Sequence, residues 1–283
     1  MKNGVLLTLA LLISAFSFAQ DAAEKINQAN EAMKAEDYAK AFSLYDEAMK
    51  NLGDVQVEPT INYNIALAAY RSDNMDGALE YFDRAIEADV NIQRSYEYKA
   101  RIFNEKEDYA KALENYEKAI AASEDGDTES MVFNAAIAAY RANMLEKAVE
   151  LFGQSVENGY RGETAVFYKA AALKKQGDDQ AYKAALEEGA QKFPGDDKIS
   201  SALANVYVME GNELYKEGVA ILNAANQKVQ DGSLKTTDDA YTAEVEKAQV
   251  EFRAALAILE KAKELDPSNQ NAQKLIDACS SVL

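Results

Sequence analysis

Small and large apolar residues recur along most of the chain at spacings typical of helices that pack in pairs. The segment Asn64–Arg71 has the sequence NIALAAYR, and the segment Asn134–Arg141, 70 residues later, has the sequence NAAIAAYR. Within each segment the apolar residues are three and four positions apart, which places them on one face of an α-helix. The pattern therefore predicts amphipathic helices, and it lacks the alternation that would indicate strands.

The repeating unit is about half of this 70-residue period. A third copy, from Tyr96 to Ala119, lies between the two segments. Ala78, Ala112 and Ala148 are separated by 34 and 36 residues. An aromatic residue follows each alanine four positions later: Phe82, Tyr116 and Phe152. Because unlike positions recur together at one spacing, the pattern indicates a repeat architecture.

This repeat resembles the tetratricopeptide repeat (TPR), whose unit of about 34 residues folds as two antiparallel helices. The resemblance covers residues 22–212 well and 213–283 loosely. It implies an all-α TPR α-solenoid of about six helix-turn-helix repeats. In the fifth unit Tyr182 takes the place of the anchor alanine, which predicts local repacking. The residues that carry the resemblance are Asp37-Tyr38, Ala41, Tyr45 and Ala48 in the first unit, Tyr96, Lys99-Ala100, Phe103, Asp108-Tyr109, Ala112, Tyr116 and Ala119 in the third, and Ala170, Leu173, Gly177-Asp178, Leu186 and Pro194-Gly195 in the fifth.

Helix packing accounts for the small residues at corresponding places in four units. They allow the two helices of a unit to approach closely, and larger side chains fill the remaining gaps. One helix pair cannot bury such a face alone, whereas stacked neighbours can. Pro59, Pro194 and Pro267 lie where one helix pair is expected to end and the next to begin. The small residues are Ala66, Ala100, Ala136 and Ala170.

The C-terminal part departs from the repeat spacing. A sixth repeat begins with Ala204, Tyr207 and Gly211-Asn212. Apolar residues from Tyr215 to Val229 then predict a helix that is longer than an ordinary repeat helix.

A second long helix is predicted over residues 238–264, after an interruption at Asp231-Gly232-Ser233. Leu275, Ile276 and Cys279 line a last helix. We therefore expect an elongated C-terminal helical hairpin and a capping helix, because terminal repeats are commonly atypical. The expected division of the chain is a signal peptide at residues 1–19, TPR repeats 1–5 at 20–195, and the sixth repeat, hairpin and capping helix at 196–283.

The first 19 residues have the pattern of a secretory signal peptide. Lys2 precedes the apolar stretch Val5–Phe18, and the small residues Ser17 and Ala19 precede Gln20. The apolar stretch is shorter than a membrane-spanning helix. We expect cleavage near Ala19-Gln20 and a periplasmic location, without a lipid anchor because no cysteine lies near the cleavage site.

Composition narrows the classes of function. The 283 residues include 48 acidic and 30 basic residues, one cysteine and no histidine, with a formal net charge of −18. The absence of histidine removes the most common general acid–base residue and a frequent metal ligand. One cysteine excludes an internal disulfide. The acidic excess argues against binding nucleic acid or an anionic membrane through charge.

No catalytic motif is present either, since the sequence contains neither a phosphate-binding glycine loop nor a nucleophile–base pair. Two acidic loops, Glu124–Glu129 and Asp231–Asp239, lack the ligand spacing of a calcium-binding EF-hand. We interpret them as solvated turns, with ion binding as the alternative. Cys279 follows Leu275 by one helical turn, which favours packing over an exposed thiol that pairs with a partner. We predict no catalytic residues, metal sites or cofactors.

The first helices of TPR repeats commonly line a concave groove that receives a peptide or helix of a partner protein. The resemblance thus implies a partner-binding set rich in tyrosine and arginine, which contribute strongly to protein interfaces. The alternative is that the tyrosines fill seams between repeats and the arginines pair with neighbouring acids. Arg71 and Arg141 favour binding, since each follows a tyrosine at the open end of its helix. The set is Tyr63, Asn64, Tyr70, Arg71, Arg94, Tyr98, Arg101, Phe133, Asn134, Tyr140, Arg141, Tyr168, Lys174 and Lys175.

One TPR subfamily uses a carboxylate clamp, and its pattern is incomplete in this chain. Asn30, Asn64 and Arg94 lie at clamp-like positions. Ile26 and Tyr98, however, stand where the clamp has basic residues. We therefore do not expect this activity.

Together these patterns predict a non-enzymatic scaffold of the bacterial envelope that docks a peptide or helix of a partner protein. The alternative within binding proteins is a periplasmic holdase-like assembly factor for outer-membrane or secreted clients. Saturable binding of one partner favours the scaffold, and suppressed aggregation of unrelated proteins favours the holdase. An envelope hydrolase is less expected, because it needs a deep pocket of carboxylates with perturbed pKa values.

Overall fold

The computed structural model describes residues 20–52, 56–124, 126 and 128–283. In these residues the chain forms α-helices joined by short turns, and no strand occurs among them. The predicted all-α repeat fold is confirmed. The predicted signal peptide at residues 1–19 lies outside the described residues, as do positions 125 and 127 of the first acidic loop.

The helices of the regular part are 11–15 residues long, and all three prolines lie between helices, as predicted. Helix α1 is described from residue 20 to 34. The following helices are α2 (Tyr38–Lys50), α3 (Ile61–Arg71), α4 (Met75–Glu87), α5 (Ile92–Glu105), α6 (Tyr109–Ala121), α7 (Glu129–Arg141), α8 (Leu145–Asn158), α9 (Gly162–Gln176), α10 (Asp179–Lys192), α11 (Asp197–Gln230), α12 (Asp239–Leu265) and α13 (Gln270–Ser280).

The helices form two compact units, Met1–Leu151 and Phe152–Leu283, with the boundary inside α8. This boundary differs from the expected division at residue 195. The physical reason is that α9 and α10 pack on α11, so the fifth helix pair belongs to the same unit as the C-terminal hairpin.

In the first unit, small residues and aromatic residues divide the packing between them as the repeat pattern predicts. Ala78 has no exposed surface, which lets α4 lie close against α3. One turn later Phe82 is fully buried between Tyr63 of α3 and Tyr98 of α5. Burial of a side chain of this size contributes about 1.5–3 kcal/mol, so one aromatic residue holds three helices together.

The turn inside each helix pair places the first residue of the second helix. Asp37, Asn74 and Asp108 are N-caps whose side chains accept hydrogen bonds from backbone amides in the first turns of α2, α4 and α6. Since Tyr38 and Tyr109 follow two of these caps directly, the caps fix both tyrosines at the first helical position. A residue with positive φ precedes each cap, namely Glu36, Asp73 and Glu107.

One of the two helices of the C-terminal hairpin, α11, is longer than its sequence predicts. Helix α12 agrees with the helix predicted over residues 238–264. On the other side, Gly211 and Asn212 do not end a helix, because α11 continues through them for 34 residues. The expected start of a sixth repeat and the following long helix are therefore one helix.

Two buried glycines of α11 explain why it continues. A Cβ atom at Gly211 would lie 2.6 Å from Leu259 Cγ, and one at Gly218 would lie 2.7 Å from Phe252 Cε1. Both glycines lie in the helix interior, where they provide space for side chains of α12. Gly177, by contrast, has a φ of +83° and ends α9.

Cys279 lies on the apolar side of α13. It is fully buried in a cluster with Ala248, Phe252 and Leu259 of α12. Burial raises the pKa of its thiol. The predicted packing role of Cys279 is thus confirmed.

Candidate partner-binding surface

Burial separates the predicted partner-binding residues into two groups. Tyr63 and Phe133 are only 8% and 3% exposed. The structure therefore places these two in the packing between helices. The prediction that they bind a partner is wrong, because almost none of their surface is exposed. Half-buried members are Tyr70, Tyr98, Asn134, Tyr140 and Tyr168, and exposed members are Asn64, Arg71, Arg94, Arg101, Arg141, Lys174 and Lys175.

An aromatic cluster in the first unit connects the buried residues with the half-buried ones. The ring of Tyr98 stacks on Phe82 with centroids 5.3 Å apart and an interplanar angle of 7°. Tyr70 meets Tyr98 edge-on at 5.1 Å, and its hydroxyl donates a hydrogen bond of 3.2 Å to Glu105. These contacts bring the first helices α3 and α5 side by side. Burial is the main cause that raises the pKa of Tyr63 and of Tyr70.

Arg71, the last residue of α3, is held by a tyrosine of the preceding helix pair. Its guanidinium carbon lies 4.9 Å from the centre of the Tyr38 ring. Its Nη1 donates a hydrogen bond of 2.5 Å to the Tyr38 hydroxyl, which is the main cause that raises the pKa of Arg71. The tyrosine thus orients the guanidinium and leaves its positive charge in place.

Arg141, the last residue of α7, repeats this arrangement. Its guanidinium carbon lies 5.4 Å from the centre of the Tyr109 ring, at the first position of α6. Sequence reasoning missed the role of Tyr38 and Tyr109. A signal was present, because the sequence Asp-Tyr-Ala-Lys occurs at 37–40 and again at 108–111.

The ion pairs of the first unit make these two arginines distinct. Lys106, the residue after α5, pairs with Asp76 at 2.6 Å, and Arg101 pairs with Glu97 on its own helix. Among the described residues, no carboxylate lies within ion-pair distance of Arg71 or Arg141. Glu36 is close enough to Arg71 to help raise the pKa of its guanidinium, although the two form no ion pair.

The other predicted basic residues of the first unit have acidic neighbours. Arg94 lines a hollow of about 320 Å³ together with Asp89 and Glu124. Arg101 lies 5.4 Å from the centre of the Tyr98 ring and is paired with Glu97.

The second unit contains the remaining predicted residues. Tyr168 stacks on Phe152 with ring centroids 5.5 Å apart. The Lys174 ammonium lies 4.8 Å from the centre of the Tyr182 ring, the residue that replaces the anchor alanine. Phe167, which is 42% exposed, lines a hollow of about 560 Å³ at the start of α9. Lys175 is exposed at the end of that helix.

Two of the three acidic side chains of the second loop accept hydrogen bonds from the backbone of the loop. Asp231 accepts a hydrogen bond from the Ser233 amide, and Asp238 accepts one from the Lys235 amide. Within the described ranges, no group of three or more acidic or cysteine side chains has an arrangement that could hold a metal ion. None of the helices in these ranges has the length and apolar character needed to cross a membrane.

Comparison with known proteins agrees with the helix pairs described above. Residues 26–91 and 63–127 match the tetratricopeptide repeat family model. No curated protein matches the sequence. Similar solved structures include a TPR protein of Bacteroides fragilis (17% identity, 93% of this chain and 99% of that chain, TM-score 0.39), one of Parabacteroides merdae (15%, 92% and 99%, 0.47), and the C-terminal part of one from Cytophaga hutchinsonii (15%, 89% and 99%, 0.48).

The family match spans α1 to α6, the part of the first unit in which cap, small residue and aromatic residue recur most regularly. Each matched segment contains helices that pack against their sequence neighbours, as TPR units do. Residues 26–127 therefore consist of tetratricopeptide repeats, a fold that serves as a scaffold for protein–protein interaction.

Proposed function

We propose that this protein is a non-enzymatic scaffold of the bacterial envelope that docks a peptide or helix of a partner protein. The observation that carries the proposal is the pair Arg71 and Arg141. Both are exposed, both are oriented by a tyrosine, and neither forms an ion pair with a described carboxylate. Arginine and tyrosine together are the residue types that contribute most to binding energy in protein interfaces.

The binding surface is smaller than the sequence pattern predicts. In the first unit it consists of exposed and half-buried residues of α3, α5 and α7, without Tyr63 and Phe133. Tyr70 and Tyr98 offer aromatic edges between the arginines, since both are half-buried and in contact with each other. Aromatic edges beside fixed cations suit a partner segment that combines apolar and acidic side chains.

Capture of a partner tests the docking proposal. The double variant Arg71→Glu, Arg141→Glu should lose in-cell crosslinking to the partner that the unaltered protein captures, while its far-UV circular dichroism stays unchanged. Arg84→Glu is a matched control, because Arg84 also lies over a tyrosine ring, at 4.6 Å, but on the second helix α4. Undiminished capture by the double variant would refute docking at this surface. Broad suppression of aggregation by both variants would favour the holdase function.

The envelope location rests on the pattern of residues 1–19 and has its own test. Mass spectrometry of the protein isolated from its native cells should find Gln20 as the N-terminus, and fractionation should place it in the periplasm. An intact Met1 or Lys2 terminus in the cytoplasmic fraction would contradict this part of the proposal and leave the docking surface untouched.

A further inference from the structure

We infer that the C-terminal ends of α3, α5 and α7 form an edge that recognises an extended partner segment carrying acidic, basic and acidic residues in that order. The inference rests on the proposed docking function and specifies the chemistry of its partner. It does not use the positions of the carboxylate clamp, which lie elsewhere on the first helices.

The edge is defined by three equivalent residues. Arg71, Glu105 and Arg141 each lie four positions before the first residue of the following helix, at Met75, Tyr109 and Leu145. They are the last residues of their own helices and are exposed. The order of charges along three successive repeats is therefore positive, negative, positive.

Each of these charges is held in place without an ion pair among the described residues. Tyr38 and Tyr109 contact the two guanidinium groups. The Glu105 carboxylate accepts a hydrogen bond from the Tyr70 hydroxyl, and among the described residues it forms no ion pair. Neutral phenols fix side-chain positions and keep full charges facing solvent, which is the condition for charge complementarity with a partner.

The spacing of the helices sets the spacing of the partner residues. Tyr70 contacts both Tyr98 and Glu105, so α3 and α5 are neighbours. Helix α7 packs on α6 as α5 packs on α4. In a regular stack of repeats, α5 and α7 are then separated by a step of the same kind as α3 and α5. Packed helices lie about 8–10 Å apart, and a chain in the extended polyproline II conformation advances about 3.1 Å per residue and directs every third side chain to the same side. Three residues of an extended partner therefore span one step.

The expected partner segment consequently has an acidic residue at position i, a basic residue at i+3 and an acidic residue at i+6. A segment with the opposite order would bring like charges together at all three positions, which costs binding free energy. The order of charges, and not the net charge, is the property that the edge selects.

A random 12-residue peptide library displayed on phage tests this inference. The unaltered protein should enrich peptides with the acidic–basic–acidic spacing. The variant Arg71→Glu, Glu105→Arg, Arg141→Glu should enrich the reverse order, because all three side chains are exposed and their replacement leaves the packing intact. For one selected peptide, Arg71→Gln and Arg141→Gln should each weaken binding by about three- to tenfold, as expected for exposed ion pairs.

The possible outcomes distinguish failure of the charge order from failure of docking itself. Peptides that bind the unaltered protein and the charge-reversed variant equally would overturn the charge order, while docking of a segment would stand. If the selection enriches no peptide, although the unaltered protein and the variant have the same circular dichroism, both the charge order and the docking function are overturned.

Discussion

The helix pairs of the first unit and the hairpin of the second use small residues in different ways. In the first unit, helices of 11–14 residues end at turns with Asp or Asn caps, and alanine provides the close contact. Helices α11 and α12 are 34 and 27 residues long and pack against each other. Glycine of α11 and buried alanine of α12 provide the contact. Phe252 and Leu259 lie directly on Gly218 and Gly211.

This difference shows how the same fold can support two kinds of stability. In the first unit, Phe82 contacts the two neighbouring helices α3 and α5, so loss of such a contact affects a short segment. In the hairpin, burial is concentrated in a few side chains along one long interface. We therefore expect the hairpin to depend more strongly on individual residues.

The largest expected effect comes from Phe252→Ala. Because Phe252 is completely buried, its removal should lower the free energy of unfolding by about 3–5 kcal/mol. Urea denaturation should measure the loss, and hydrogen exchange should locate it in α11 and α12. Val250→Ala is the control on the same helix, where 58% exposure predicts a change within about 0.5 kcal/mol. Similar effects of the two variants would contradict the proposed concentration of burial.

A smaller change in stability, of opposite sign at the two sites, is expected when each of two helical glycines is replaced by alanine. Gly218→Ala places a methyl group 2.7 Å from the Phe252 ring and should destabilise by about 1 kcal/mol or more. Gly153→Ala in α8 meets no atom within 4 Å and should stabilise by about 0.5–1 kcal/mol. Thermal unfolding of both variants compares them directly. Stabilisation by Gly218→Ala would show that α11 and α12 do not require glycine at their contact.

The smallest effect concerns two tyrosines, one in each unit, and appears only at high pH. Burial, together with a nearby carboxylate, raises the pKa of Tyr81 and of Tyr207 from 10.0 to about 12. Asp46 accepts the hydrogen bond of Tyr81, and Glu187 accepts that of Tyr207. Since the folded pKa is the higher one, each neutral phenol contributes full stability below pH 10 and loses it as pH rises from 10 through 12.

Absorbance titration at 295 nm checks this expectation, because Tyr81→Phe or Tyr207→Phe should each remove one late-titrating phenol. At neutral pH each substitution should cost no more than about 1 kcal/mol, the usual net value of one hydrogen bond. If either tyrosine titrates near pH 10 in the folded protein, the burial and the carboxylate contact that raise its pKa do not both persist in solution.

Most of the fold follows from the sequence, since the repeat depends on residue size at fixed spacing. In a stacked helix pair, residue size determines where residues such as Ala78 and Phe82 pack: the alanine at the close contact and the aromatic ring in the gap beside it. The continuity of α11 does not follow in this way. Gly211-Asn212 and Gly177-Asp178 look alike locally, and only the contact of Gly211 with Leu259, 48 positions away, distinguishes an interior glycine from a turn glycine.

The candidate surface was less predictable, for a related reason. Helical spacing places Tyr63 and Tyr70 on a first helix but does not specify which side meets the next repeat. The structure buries Tyr63 and leaves Tyr70 half-buried. The partner of Arg71 is Tyr38, which is 33 residues earlier and belongs to another helix pair. Such a contact depends on how repeats stack, which no single repeat encodes.

Because Cys279 is buried against α12, the reactivity of its thiol reports how often α13 separates from α12. As the chain's single thiol, it can react with a water-soluble disulfide reagent only when α13 swings away from α12. The ratio of its labelling rate to that of an unprotected thiol then gives the fraction of time that this end of the protein is open. Repeating the measurement with a partner bound would show whether binding at Arg71, Glu105 and Arg141 changes how often α13 opens.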